Sequence, residues 1–130
     1  GKYKEAIASF DRSLRIQPNA YWAWYNRGLA HKQLGNHEES LNSFDRAIEF
    51  NPDAYNAWYN RGLLLTDIGR NDKAIASFTK AVEIKPDYQR AWYNRGVSQR
   101  RTGDYSGARA RLDEVVKLDS QEHGAWYSRG

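Results

Sequence analysis

Ala23-Trp24-Tyr25-Asn26-Arg27-Gly28 recurs as Ala57 to Gly62, as Ala91 to Gly96 and, with Ser128 in place of asparagine, as Ala125 to Gly130. The spacing is 34 residues, and a fixed period in that range marks a stacked repeat array rather than a globular domain around one pocket. Each unit of such an array contacts its neighbours, and the stack presents an extended face on which function is sought.

The other half of the period is equally legible. Ala6 to Leu14 has counterparts in Ser40 to Ile48 and Ala74 to Val82, with a looser copy in Ala108 to Val116. Pro18, Pro52 and Pro86 follow three of these segments. A proline pushes the preceding residue out of helical geometry, so Gln17, Asn51 and Lys85 are expected to close a helix. Asn19, Asp53 and Asp87 stand where they could cap the next one. Gly1, Gly35, Gly69 and Gly103 mark the other boundary, where a left-handed cap is expected. Each repeat therefore reads as two antiparallel helices, the first over 21–34 and the second over 37–50 in the first complete unit. No alternation of period two suggests a strand.

Composition narrows the function classes. The chain of 130 residues has no cysteine, which excludes disulfides, thiolate catalysis and cysteine-rich metal sites. Its longest apolar run, Leu63 to Leu65, cannot span a bilayer. The start, Gly1-Lys2-Tyr3-Lys4, lacks the apolar stretch of a signal peptide. Because the chain opens in mid-repeat, a targeting segment could lie upstream; localisation stays open, with the cytoplasm favoured. His31, His37 and His123 have no metalloprotease or triad-like setting and no phosphate loop is present, so an enzyme is disfavoured and no cofactor or metal is called for. Nucleic-acid binding is disfavoured too. The pI of about 9.4 is basic, but the net charge is only +4 and no nucleic-acid module is recognisable.

Trp24, Gly28, Ser40, Phe44 and Pro52, repeated as Trp58, Gly62, Ala74, Phe78 and Pro86 and then as Trp92, Gly96, Ala108 and Leu112, resemble the pattern of the tetratricopeptide repeat family. The AWYNRG wording resembles long bacterial arrays of these repeats. The resemblance implies an all-α solenoid of antiparallel helix pairs wound into a right-handed superhelix. It covers the chain as one array: a second helix over 1–20, repeats over 21–54, 55–88 and 89–122, and the start of another over 123–130. Both ends fall within a repeat, as in a piece cut from a longer array.

Packing assigns the small and large residues. Gly28, Gly62 and Gly96 are expected to face Ser40, Ala74 and Ala108 across each hairpin, with the tryptophans as core wedges beside Phe44, Phe78 and Leu112. The sequence departs from the family at Arg27, Arg61, Arg95 and Arg129, where leucine is usual. These arginines need a carboxylate or a route to water. The expected partners are Asp11 for Arg27, Asp45 for Arg61 and Asp113 for Arg129. Arg95 meets Thr79 in that register and is assigned Glu83 instead.

The resemblance also implies a protein-interaction scaffold whose concave groove is lined by the first helix of each pair. Helical spacing then places Trp22, Tyr25, Asn26, Leu29, Lys32 and Gln33 along it, followed by Asn56, Tyr59, Asn60, Leu63, Thr66 and Asp67, and by Arg90, Tyr93, Asn94, Val97, Arg100 and Arg101. A row of asparagines can satisfy an extended peptide backbone, and tyrosines add rigid amphipathic platforms; the alternative is that both merely pack one first helix against the next. Arg90, Arg95, Arg100, Arg101, Arg109 and Arg111 face a single acid, Asp104, within their stretch, which favours an acidic or carboxylate-bearing protein or peptide partner at the third repeat. The two-carboxylate clamp of chaperone adaptors would fall on Tyr25, Leu29, Asn60, Arg90 and Asn94, of which only Asn60 and Arg90 have the required chemistry. Homo-association through open repeat ends is the alternative function, and Trp22 is either a partner anchor or a cover for a neighbouring helix.

Overall fold

The computed structural model describes the backbone of residues 1–118 and the side chains of residues 1–103. The described backbone is helical throughout apart from short connections: α1 (Lys2–Ile16), α2 (Tyr21–Leu34), α3 (His37–Phe50), α4 (Tyr55–Asp67), α5 (Asn71–Ile84) and α6 (Gln89–Leu118). Each helix packs against the next in sequence, and the first helices α2, α4 and α6 also touch side by side. This is the all-α solenoid expected from the period.

The punctuation works as the residue types require. Gln17, Asn51 and Lys85, each before a proline, leave helical geometry with φ of −135°, −147° and −127°. Gly35 and Gly69 take left-handed φ of 78° and 80°. Behind them the amides of Asn36 and Arg70 reach back to the carbonyls of His31 and Leu65, the six-to-one bond that closes a helix end. Capping differs from expectation. Ala20 and Ala54 occupy the N-caps without a side-chain bond, one residue after Asn19 and Asp53. Both alanines are buried in the turn between repeats.

The core is a ribbon of small clusters rather than one centre. One gathers Leu14, Ala20 and Ala23 with Trp24; the next Ala47, Ala54 and Ala57; the third Tyr59, Leu65, Ala74, Phe78 and Val82. The glycines set the hairpin spacing more tightly than expected. A Cβ on Gly28 would lie 2.7 Å from the Phe44 ring, and one on Gly62 would lie 2.5 Å from the Phe78 ring. Ser40 adds a buried bond, its hydroxyl donating to the Gly28 carbonyl at 2.7 Å.

The third repeat departs from this plan. Gly103 has no left-handed φ, and α6 continues through it to Leu118 instead of turning back. The expected hairpin of 89–122 is thus replaced, over the described backbone, by one long helix. The sequence supplies a reason: Leu112 stands where Phe44 and Phe78 plug their glycines. A Cβ on Gly96 would accordingly meet nothing within 4 Å among the described residues.

Candidate functional site

Three side-chain systems recur along the array and fix the wall formed by α2, α4 and α6. The first pins the turn between repeats. The indole N–H groups of Trp24, Trp58 and Trp92 donate to the carbonyls of Pro18, Pro52 and Pro86 at 2.7, 2.9 and 2.7 Å. An indole needs such an acceptor when it is partly buried. The tryptophans therefore lock turns.

The second system is the arginine that replaces the family's leucine. Arg27 donates from Nε to Asp11 at 2.7 Å and from a terminal nitrogen to Ser43 at 2.6 Å, joining α1, α2 and α3. Arg61 repeats this with Asp45 and Ser77, both at 2.7 Å. Their guanidinium groups also lie 5.7 and 5.9 Å from the Trp24 and Trp58 rings. Arg95 is the exception. It lies 5.4 Å from the Trp92 ring, but its buried Nε has no hydrogen-bond partner among the described residues. Glu83, assigned to it from the sequence, pairs with Lys80. The Arg129–Asp113 pair lies outside the described residues.

The third system lies on the candidate groove. The Asn60 amide donates to the Tyr25 hydroxyl at 3.0 Å, and the Asn94 amide to that of Tyr59 at 3.2 Å. The same nitrogens also donate to the carbonyls of Asn56 and Arg90 one turn earlier, and Asn26 does so to Trp22. Tyr21 adds a bond from its hydroxyl to Asn56 at 3.1 Å. The expected ladders of tyrosine and asparagine are thus joined into a hydrogen-bonded seam between first helices. The amide donors of Asn60 and Asn94 are taken, while Oδ1 stays available as an acceptor.

The expected groove residues divide by exposure. Trp22, Gln33, Asp67, Arg90, Tyr93, Arg100 and Arg101 are exposed; Tyr25, Asn26, Leu29, Lys32, Asn56, Asn60, Leu63, Thr66, Asn94 and Val97 are half-buried. Tyr59 is buried at 9% exposure and presents little surface to a ligand. Trp22 is half-exposed and lies edge-on to Phe10 at 6.3 Å, so it covers α1. Arg101 sits with Thr102 beside Gly69, Asn71 and Asp72, towards the α4–α5 turn and away from the middle of the wall.

Tyr21, Tyr55 and Tyr88 belong to the same wall and were not singled out in the sequence. Tyr88 packs against Tyr59 at 4.9 Å and Tyr55 at 5.4 Å, while Tyr21 stacks on Tyr25 at 6.0 Å. The signal was present: Tyr21 and Tyr55 lie one turn before Tyr25 and Tyr59, and Tyr88 interrupts the alanines of Ala20 and Ala54. Burial raises the Tyr25 and Tyr88 hydroxyl pKa values above the ordinary tyrosine range, with neighbouring tyrosines adding to the effect. Among the described residues no His/Asp/Glu group could hold a metal ion, and no helix is long and apolar enough to cross a membrane.

This arrangement can be set beside known proteins. A solved structure of MamA superimposes with a TM-score of 0.77 at 28% identity, covering 79% of this chain and 60% of that one. The chain thus spans three fifths of that MamA chain. A second MamA structure gives 0.76 at 26% identity and covers 95% of this chain and 70% of that one. The first tetratricopeptide domain of Spaghetti (RPAP3), bound to the HSP90 peptide SRMEEVD, gives 0.76 at 19% identity, covering 79% of this chain and 82% of that one, and shows the shared fold. No curated protein matches the chain. Tetratricopeptide repeat families match residues 25–89 and 65–128, and a TPR repeat family matches residues 1–35. With the period, the helix pairs and the glycine–phenylalanine hairpins, these matches establish that the chain belongs to the tetratricopeptide repeat family.

Proposed function

We propose that the chain is a non-catalytic scaffold that binds a segment of a partner protein along the α2–α4–α6 wall. The observation that carries this reading is the asparagine–tyrosine seam. It holds the Oδ1 acceptors of Asn60 and Asn94 in a fixed row beside half-buried Leu29, Leu63 and Val97, which suits the N–H groups and side chains of an extended peptide. The fold can carry a peptide, as in the RPAP3 domain bound to SRMEEVD.

The exposed Arg90, Arg100 and Tyr93 on α6 supply what the seam lacks, charged donors and an aromatic platform at one end. They support a bias towards an acidic or carboxylate-bearing ligand there. A second reading, self-association, is favoured by the surface around Gly96 and Trp92, which no side chain covers among the described residues. A peptide array probed with wild type and an Asn60→Ala, Tyr93→Ala, Arg90→Ala variant tests the first reading. Binding lost in the variant, with acidic peptides weakening as salt rises, is the expected result. Equal binding by both proteins would refute it.

A further inference from the structure

The α2–α4–α6 wall presents the same pair of groups once per helix, and the spacing of that pair selects a ligand backbone. Asn26, Asn60 and Asn94 each donate from the side-chain amide to a carbonyl one turn earlier, that of Trp22, Asn56 and Arg90 respectively. The nitrogens are fixed in this way, which leaves Oδ1 of each as the available acceptor. Leu29, Leu63 and Val97 follow three residues on, one turn away on the same face, and are half-buried. The pattern occupies residues 26–97, wholly within the described side chains.

Neighbouring first helices are close enough for direct side-chain bonds, Asn60 to Tyr25 at 3.0 Å and Asn94 to Tyr59 at 3.2 Å. Helices packed side by side stand about 8–10 Å apart. A chain crossing the wall therefore meets an acceptor and an apolar side chain at each such interval. In a polyproline II chain every third side chain points the same way and recurs at about 9 Å, in step with the wall. In a β-strand, like-facing side chains recur at about 6.6 Å and fall out of step after one helix. An α-helical ligand returns to the same face after seven residues, at about 10.5 Å, but its own turns satisfy its N–H groups and leave the asparagine row without donors. Polyproline II has no internal hydrogen bonds, so its N–H groups are free to reach Oδ1.

Charge marks one end of the path. Flanking the asparagine and the apolar residue, α4 carries the neutral Asn56 and Thr66, whereas α6 carries the exposed Arg90 and Arg100. Two guanidinium groups beside the third pair complement a carboxylate at that end of the ligand.

We propose that the wall takes a polyproline II segment of a partner protein with an apolar side chain at every third position, seated on Leu29, Leu63 and Val97, and with an acidic residue beyond the last, between Arg90 and Arg100. The inference rests on the peptide-binding reading and adds a ligand conformation and register to it. Proline suits the intervening positions, except where an N–H reaches an asparagine.

The probe is a fluorescein-labelled peptide of three Leu-Pro-Gln units ending in Glu-Glu, titrated with the chain of 130 residues and read by fluorescence anisotropy. Composition-matched peptides carry the leucines at every second or every fourth position, and an amphipathic helical peptide carries them at every seventh. The peptide with leucine at every third position is expected to bind tenfold or more tightly than each of the others. Arg90→Glu, at an exposed position, should keep the helicity of wild type and weaken that peptide severalfold, with recovery when the peptide ends in Lys-Lys. Equal binding at all spacings, a preference for another spacing, or array peptides that bind when none of the spaced peptides does would overturn the register alone. Unchanged binding by Arg90→Glu would overturn the placement of the acidic end. Absence of binding by the spaced peptides and the array alike would overturn the groove reading together with the register.

Discussion

The amide nitrogen of Asn60 lies 3.0 Å from the hydroxyl of Tyr25, one first helix away, and holds the wall of the candidate groove together while lining it. Removing it has two effects. Asn60→Ala is expected to destabilise the protein by about 1 kcal/mol, the net contribution of a typical hydrogen bond, and to weaken any groove ligand. Asn60→Asp keeps the size but sets an acceptor against the Asn56 carbonyl to which Asn60 now donates, so it should lose stability, and its added negative charge should weaken the binding of acidic peptides. Urea denaturation beside peptide titration separates the effects.

Gly62 and Gly96 occupy the same repeat position and are expected to respond oppositely. A Cβ on Gly62 would lie 2.5 Å from the Phe78 ring, so Gly62→Ala should cost about 1–3 kcal/mol through overpacking. Gly96→Ala meets nothing within 4 Å among the described residues and should stabilise α6 by up to about 1 kcal/mol. Thermal unfolding of the two variants gives the comparison.

Arg61 joins three helices through Asp45 and Ser77 at 2.7 Å each. Replacing Asp45 by alanine leaves a partly buried guanidinium with one anchor, at an expected cost of about 1–2 kcal/mol. Ser77→Ala should cost less, since its partner keeps the charged acceptor. A double-mutant cycle at Arg61 and Asp45 should show positive coupling, and additive effects would contradict the inter-repeat role.

His31 predicts an acid limb in the stability profile. It is 7% exposed, its Nδ1 lies 3.1 Å from the Asn36 amide nitrogen, and its pKa is lowered by burial first and then by Arg27, against smaller opposing contributions from Glu39 and Asp11. The folded state therefore resists protonation more than the unfolded chain. Stability is unaffected above the ordinary histidine pKa of about 6.5 and falls as pH drops below it. His31→Gln should flatten that limb between pH 7 and pH 5 in urea titrations.

How far the sequence could be read depended on whether a feature lay within the period. The helix ends at Leu34 and Phe50 and the Arg27–Asp11 and Arg61–Asp45 pairs follow from the 34-residue register, because stacking brings equivalent positions together. The failures arose where the repeat changes. Leu112 for phenylalanine and Arg111 for serine accompany a helix that runs on through Gly103, which local punctuation alone placed in a turn. Arg95 Nε has no hydrogen-bond partner among the described residues, with Thr79 standing where Asp11 and Asp45 serve the other arginines. The seam was only half legible: asparagine and tyrosine are competent both to bind a peptide and to bind each other, and the choice depends on distances between helices that spacing within one helix does not contain.

The most direct test of the scaffold reading is to map a bound peptide by backbone amide chemical-shift perturbation in NMR, using an acidic peptide selected from the array. The account predicts shifts concentrated on α2, α4 and the first half of α6, near Asn26, Asn60, Arg90 and Asn94. Shifts concentrated on α3 and α5, with the Asn60 and Asn94 side-chain amides unmoved, would contradict it.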